Sequence, residues 1–317
     1  IYVSVDINKA IYYFNIASDQ NHLLAQYELG EIYYEGKYIT QNINKALDYF
    51  TLSANQNYSL SQLELGLIYY SAEYVKRDIN KSIYFLSNAA SQKVVEAQYL
   101  LGIIFFDGKY ISKDIDKSIY YFKMAAIQNN KEAQFYLGLI YLEGENIKRD
   151  INKSIFYFSL AANQNDINSQ LYLGRIYYEG KYIKRDINKY IHYFTLAANQ
   201  NDSDAQFDLG YLYYEGKIIN RDINKALYYF TLSANQNNSD AQFYLGKIFN
   251  DGNFVVRDMN KAIHYFTLSA NLDNLYSQIF LGHIYYQKRY VKKDVKKAIY
   301  YLSLAADQNA PEAQYFL

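Results

Sequence analysis

The sequence contains no cysteine, no tryptophan and a single proline in 317 residues. Without cysteine there is no disulfide, no thiol nucleophile and no cysteine-based zinc site. This composition fits a reducing compartment, and a cytoplasmic setting is the expectation. Charge of one sign is missing as well. Lys plus Arg total 32 and Asp plus Glu total 32, a formal net charge of zero, which gives no electrostatic reason to expect a nucleic-acid partner or an anionic membrane surface. No apolar run approaches the roughly 18 residues that cross a bilayer, so no membrane insertion is expected, and the first residues carry no signal-peptide pattern. HExxH, P-loop, GxSxG and Cys/His clusters are absent. The chain reads as a non-enzyme, with no catalytic residue, metal or cofactor.

What is present is a period. Gly30, Gly66, Gly102, Gly138, Gly174, Gly210, Gly246 and Gly282 stand 36 residues apart without a slip. A period of this length marks a solenoid in which one unit is copied along the chain. With hydrophobic residues at 50%, there is ample apolar surface for a continuous core. Residues 1–317 are therefore read as one elongated array rather than two globular domains.

The unit 133–168 shows the pattern. Ala133, Leu137, Ile140 and Tyr141 form the i, i+4, i+7, i+8 stripe of a helix, here termed helix A, and Gly144 ends it in the left-handed position glycine favours. After a short linker, Ile151, Ile155, Phe158 and Ala162 form the stripe of helix B. Asp150 precedes it as the N-cap, its carboxylate positioned for the unpaired first-turn amides. Asn163-Gln-Asn165 closes the unit. The cap recurs as Asp6, Asp78, Asp114, Asp150, Asp186, Asp222, Asp258 and Asp294, with Asn42 the substitute. Lys9, Lys45, Lys81, Lys117, Lys153, Lys189, Lys225, Lys261 and Lys297 follow it, and Gln26 to Gln314 repeat near the start of helix A. Uniform columns of this kind reflect recent duplication or a repeated interface between neighbouring units. The fold expected is all-α: a right-handed α/α superhelical solenoid of 36-residue helix-turn-helix repeats. Glycine inside helix A costs about 1 kcal/mol relative to alanine. The position therefore implies a close approach, most simply of the Tyr157-Phe158 pair.

These residues resemble the Sel-1-like repeat family, relatives of the tetratricopeptide repeats. Ala205, Leu209, Gly210, Tyr213, Gly216, Asp222, Lys225, Ala226, Tyr229, Phe230 and Ala234 occupy the family's Ala-x-x-x-Leu-Gly-x-x-Tyr-x-x-Gly and Asp-x-x-Lys-Ala motifs, and about nine repeats cover the chain. The second helix A glycine is replaced by Ala72 and Lys288 in two units, and the glycine after helix B by Asn, or by Lys93 and Asp273. The resemblance implies a non-catalytic scaffold or adaptor that binds a protein or peptide, with no nucleic acid. An alternative it implies is the interaction region of a larger signalling enzyme, such as a protein kinase, with the activity outside this chain. Some relatives act in endoplasmic-reticulum degradation, so the lumen of that organelle is the alternative location.

The remaining features follow this frame. His192 and His264 share a column where Tyr is usual, an aromatic substitution rather than a metal site. Acidic residues end helix A (Glu35, Asp107, Glu143, Glu179, Glu215, Asp251) and basic ones precede helix B (Lys76, Arg77, Lys148, Arg149, Arg221, Arg257 among them), read as solvated ladders worth little. One column varies in chemistry while those around it repeat: Glu31, Leu67, Ile103, Leu139, Arg175, Tyr211, Lys247 and His283, each directly after the helix A glycine. By analogy with tetratricopeptide arrays this column faces the concave groove, flanked by Tyr34, Tyr70, Tyr178, Tyr214 and Tyr286. These tyrosines either meet a ligand or fill the gap between turns, and the sequence leaves both open. The candidate binding surface is this set of thirteen residues, with the apolar part of a partner against Leu67, Ile103 and Leu139 and a polar or acidic part near Arg175, Tyr211, Lys247 and His283. The chain opens on the apolar Ile7 and Ile11 and closes on Tyr315, Phe316 and Leu317 without polar caps. It is expected to be an excerpt of a longer array whose uncapped ends fray or self-associate end to end.

Overall fold

The computed structural model describes residues 6–145, 147–287 and 292–317; Lys288 lies outside the described residues. It contains eighteen α-helices and, among the described residues, no strand. They form two compact units, residues 1–164 and 165–317. The first holds α1 (Ile7–Asp19), α2 (Leu23–Glu35), α3 (Ile43–Asn55), α4 (Ser59–Ser71), α5 (Ile79–Ser91), α6 (Val95–Asp107), α7 (Ile115–Ile127), α8 (Lys131–Glu143) and α9 (Ile151–Ala162). The second holds α10 (Ile167–Glu179), α11 (Ile187–Asn199), α12 (Ser203–Glu215), α13 (Ile223–Ala234), α14 (Ser239–Asp251), α15 (Met259–Ala270), α16 (Leu275–Tyr286), α17 (Val295–Asp307) and α18 (Pro311–Phe316). Even-numbered helices are the A type and odd-numbered the B type. Each is a helix–turn–helix element of a solenoid.

The caps explain the regular boundaries. Asp150 Oδ1 accepts from the Lys153 amide at 3.0 Å, and Asp78, Asp114, Asp186, Asp222, Asp258, Asp294 and Asn42 repeat the bond at 3.0–3.1 Å. Such a cap is worth about 1 kcal/mol. The turn after helix B holds its left-handed residue three positions past the alanine pair, at Asn57, Lys93, Asn129, Asn165, Asn201, Asn237, Asp273 and Asn309. Most helix A ends use glycine there, with Ala72 taking the same left-handed conformation at φ 59°.

Each helix A packs most closely on the helix B that follows it, and its internal glycine is the reason. A Cβ placed on Gly138 would lie 2.5 Å from a ring carbon of Phe158, and the same is true of Gly30 against Phe50. These rings are the largest fully buried side chains of the fold, each contributing about 1.5–3 kcal/mol by burial. The close partner is Phe158 alone. Tyr157, expected to share that role, instead stacks flat on Tyr141 with centroids 5.9 Å apart, and the uniform lysine covers that pair: Lys153 Nζ lies 5.1 Å from the Tyr141 centroid. Lys45 on Tyr33, Lys117 on Phe105 and Lys225 on Tyr213 repeat it. The lysine column thus joins helices A and B inside a repeat.

The glutamine column joins each repeat to the preceding one and ties the two ends of its own repeat together. Gln62 donates to the Ala54 carbonyl at 3.3 Å and its own carbonyl accepts from Gln92 at 2.8 Å. Gln98 accepts from Gln128 and Gln134 from Gln164 in the first unit, and Gln206 from Gln236 and Gln278 from Gln308 in the second. Gln242 is the exception. Leu272 stands where the donor would be, and Gln242 Oε1 is buried without a partner.

Candidate peptide-binding face

An α-helix turns 100° per residue. The residue after each helix A glycine is therefore rotated off the face that meets the Phe of helix B, and none of the eight belongs to the fully buried core. Glu31, Leu67, Ile103 and Leu139 in the first unit are half-buried; in the second, Arg175 is exposed while Tyr211, Lys247 and His283 are half-buried. Leu67 packs partly against the cluster around Leu86 and Leu101, and Ile103 against that around Phe122 and Leu137. The apolar trio is therefore part joint and part open surface. His283 is already engaged within the chain, 3.0 Å from Glu312 Oε1 and edge-on to Phe316 at 4.7 Å.

The flanking tyrosines divide into two kinds. Tyr34 meets Tyr74, Tyr70 meets Tyr110 and Tyr214 meets Phe254, each edge-to-face at 5.8–6.5 Å. The partner is the loop aromatic of the following repeat, so these three fill the seam between repeats. Tyr178 lacks such a partner, because Ile218 occupies the loop position. Tyr178 and Tyr286 remain 37% and 50% exposed, more than the three half-buried seam tyrosines.

The basic row before helix B is not only a solvated ladder. Its last member turns onto the end of helix A. Arg149 donates to the carbonyls of Leu142 and Glu143 at 2.7 and 2.9 Å, and Arg221 to those of Tyr214 and Glu215 at 2.8 and 2.9 Å. These bonds satisfy carbonyls that the helix leaves unpaired and place a cation at the negative end of its dipole. The expectation of a merely solvated ladder is corrected here for Arg77, Arg149, Arg221 and Arg257.

Two carboxyls on this surface were not singled out by sequence. Glu64 is half-buried; burial first, then Glu31 and Glu96, push its pKa up to about 7. Asp208 is pushed up to about 6 by burial, against the pull of Arg175. Tyr211 donates to Glu215 Oε1 at 2.7 Å and Lys217 pairs with the same oxygen at 2.9 Å; the two hold the Glu215 carboxyl below its usual range. Glu64 and Asp208 stand in one column, which reads Glu28, Glu64, Leu100, Tyr136, Tyr172, Asp208, Tyr244, Phe280, so that Asp208 interrupts a run of rings. Among the described residues no group of three His, Asp or Glu is arranged to hold a metal ion, and no helix is long and apolar enough to cross a membrane.

The Sel1 repeat model matches nine consecutive segments, 1–22, 23–58, 59–94, 95–130, 131–166, 167–202, 203–238, 239–274 and 275–309. The chain belongs to the Sel1 repeat family. From residue 23 onward each matched repeat begins at helix A, the helix that carries the glycine, and no catalytic domain lies within the matched segments. Among solved structures the chain is similar to c5321, a protective antigen of uropathogenic Escherichia coli strains displaying an SLR fold, at 29% identity and a TM-score of 0.81 over 96% of this chain. It spans 65% of that protein's length. A Sel1 repeat protein from Oxalobacter formigenes is 26% identical with a TM-score of 0.76, covering 96% of this chain and 88% of the other. A search of the curated proteins finds no match. Sel1 repeats generally mediate protein binding, and this chain is a repeat protein of that kind.

Proposed function

We propose that the chain is a non-catalytic scaffold that holds a protein or extended peptide along the helix A face, in a cytoplasmic setting. The observation that carries the reading is the contrast between columns. Glycine, glutamine, lysine, the caps and three of the five flanking tyrosines each have an intramolecular contact that accounts for their repetition. The residue after the glycine has no such shared role, and its chemistry changes from Leu67, Ile103 and Leu139 to Arg175, Tyr211, Lys247 and His283. Variation on a repeating frame is how a one-dimensional array acquires a specific surface.

The apolar residues offer a desolvated anchor, and exposed Arg175 and Tyr178 supply charge and an amphipathic ring, the residue types that dominate binding hot spots. The test is a recovery experiment with the full chain carrying Arg175→Glu and Lys247→Glu together. The expected result is loss of the proteins that co-purify with the parent, at an unchanged melting temperature. A control, Lys153→Glu on helix B, retains them. Recovery of the same proteins by the double variant refutes the reading.

A further inference from the structure

The second unit carries a cavity that its neighbouring repeats have filled. Fourteen residues after the core Phe of helix B stands a ring at Tyr136, Tyr172, Tyr244 and Phe280, and an acid at Glu28, Glu64 and Asp208. Tyr136 stacks on Phe122 at 5.2 Å and 10°, Tyr244 on Phe230 at 5.4 Å and 11°, and Phe280 on Phe266 at 5.2 Å and 27°. At the same register α12 carries Asp208 over Phe194, and a short carboxylate leaves the space a ring would occupy. The result is a 180 Å³ cavity lined by Phe194, Tyr190, Tyr178, Tyr211, Arg175 and Asp208. A second departure shapes it. The residue after the uniform lysine is Ala or Ser in every other repeat and Tyr190 here. This ring tilts against Phe194 at 4.4 Å and against Tyr178 at 4.9 Å, forming an aromatic wall.

The polar groups are not equivalent. Glu215 and Lys217, also on the lining, are paired with each other, and Glu215 Oε1 accepts from Tyr211 as well. Asp208 accepts no hydrogen bond and forms no ion pair, and Arg175, though near enough to pull on its charge, stays exposed at the rim. The cavity therefore combines planar aromatic walls, room for one long side chain and a half-buried carboxylate with free lone pairs. A guanidinium satisfies all three: it stacks on aromatic faces, and its planar fork matches a carboxylate with two parallel hydrogen bonds.

We propose that this cavity is a side-chain pocket for an arginine of the bound peptide, its guanidinium donating to Asp208 and resting on the wall that Tyr178, Tyr190 and Phe194 form together. The proposal rests on the helix A reading and adds the chemistry that the face selects. An acidic residue of the partner, expected near Arg175 from sequence alone, is thereby displaced to the rim.

The experiment uses the full chain and three probes, acetyl-Gly-Arg-Gly-amide and its citrulline and Glu counterparts, followed by saturation-transfer NMR at neutral pH. Citrulline keeps the shape and removes the charge. The arginine probe is expected to give a signal at least fivefold above the citrulline probe. Asp208→Asn and Asp208→Tyr are each expected to bring it to background; Asp208→Tyr restores the ring of the neighbouring repeats and so favours folding. Asp204→Asn, an exposed acid one turn earlier, leaves it unchanged. Equal signals from arginine and citrulline, preference for the Glu probe, or a signal that survives Asp208→Tyr overturns the pocket. Failure here together with partner loss in the Arg175/Lys247 variant removes the pocket and leaves the face. Success here with partners retained in that variant leaves the pocket and removes the face.

Discussion

Leu272→Gln should stabilise the protein, because it completes a ladder the sequence leaves open at one rung. Elsewhere the glutamine ending helix B donates to the helix A glutamine 30 residues earlier at 2.7–2.9 Å. Gln242 Oε1 has no donor and is buried. A buried acceptor left unpaired costs about 1–3 kcal/mol. The opposing terms are smaller. Leu272 is 44% exposed, so replacing it forfeits about half the ~1.5–3 kcal/mol of a fully buried leucine, part of which the glutamine methylenes recover. Ordering the new side chain costs about 1 kcal/mol.

The balance is a gain of up to about 1 kcal/mol, read as a rise in the urea midpoint followed by circular dichroism at 222 nm. The reverse change, Gln236→Leu, orphans Gln206 Oε1 in the same way and is expected to lose about 1–3 kcal/mol. Leu272→Gln that destabilises as much as Leu272→Ala would refute the ladder as an energetic joint.

Gly138→Leu is expected to cost at least 1–3 kcal/mol by overpacking, since even its Cβ would sit 2.5 Å from the Phe158 ring; an unchanged thermal melt contradicts that. Glu64 gives a pH dependence. Its pKa is raised from 4.5 to about 7 on folding, so the folded state holds an extra proton between those values, and stability falls as pH rises through that window. A tenfold change in proton affinity is worth about 1.4 kcal/mol; screening of a half-open group brings the total to about 1–2 kcal/mol. Glu64→Gln should therefore match the parent at pH 4.5 and exceed it by that amount at pH 8, and parallel profiles of the urea midpoint against pH would exclude the effect.

The architecture was legible because its determinants are local and repeated. The Asp150 cap, the Gly144 stop and the Ile151–Phe158 stripe each act within one helix or turn, and they recur along the chain with few substitutions. The lysine and glutamine columns were visible, but their partners were not: Lys153 reaches back to Tyr141, and Gln62 bridges Ala54 of the preceding repeat and Gln92 at the end of its own. The tyrosines could not be sorted because Tyr34, Tyr70 and Tyr214 are sealed by loop aromatics 40 residues further on, and the loop residue that spares Tyr178 is Ile218. The basic row misled because charge suggests ion pairs, whereas Arg149 and Arg221 are within reach of open helix carbonyls. The cavity over Phe194 stands on Tyr190, a break in an Ala/Ser column, and on Asp208, which interrupts the run of rings from Tyr136 to Phe280. Each is plain in the sequence, but their meeting depends on how one helix B packs against the next helix A.

The central claim is that the partner lies on helix A and not on helix B. Both surfaces expose apolar side chains, and Phe156 on α9 is 56% exposed. A photoreactive phenylalanine placed at position 139 in one sample of the full chain and at position 156 in another separates them. Illumination with the co-purifying partner bound should form a covalent adduct from position 139 and none from 156. Adducts from 156 alone would place the partner on the opposite surface and contradict the account.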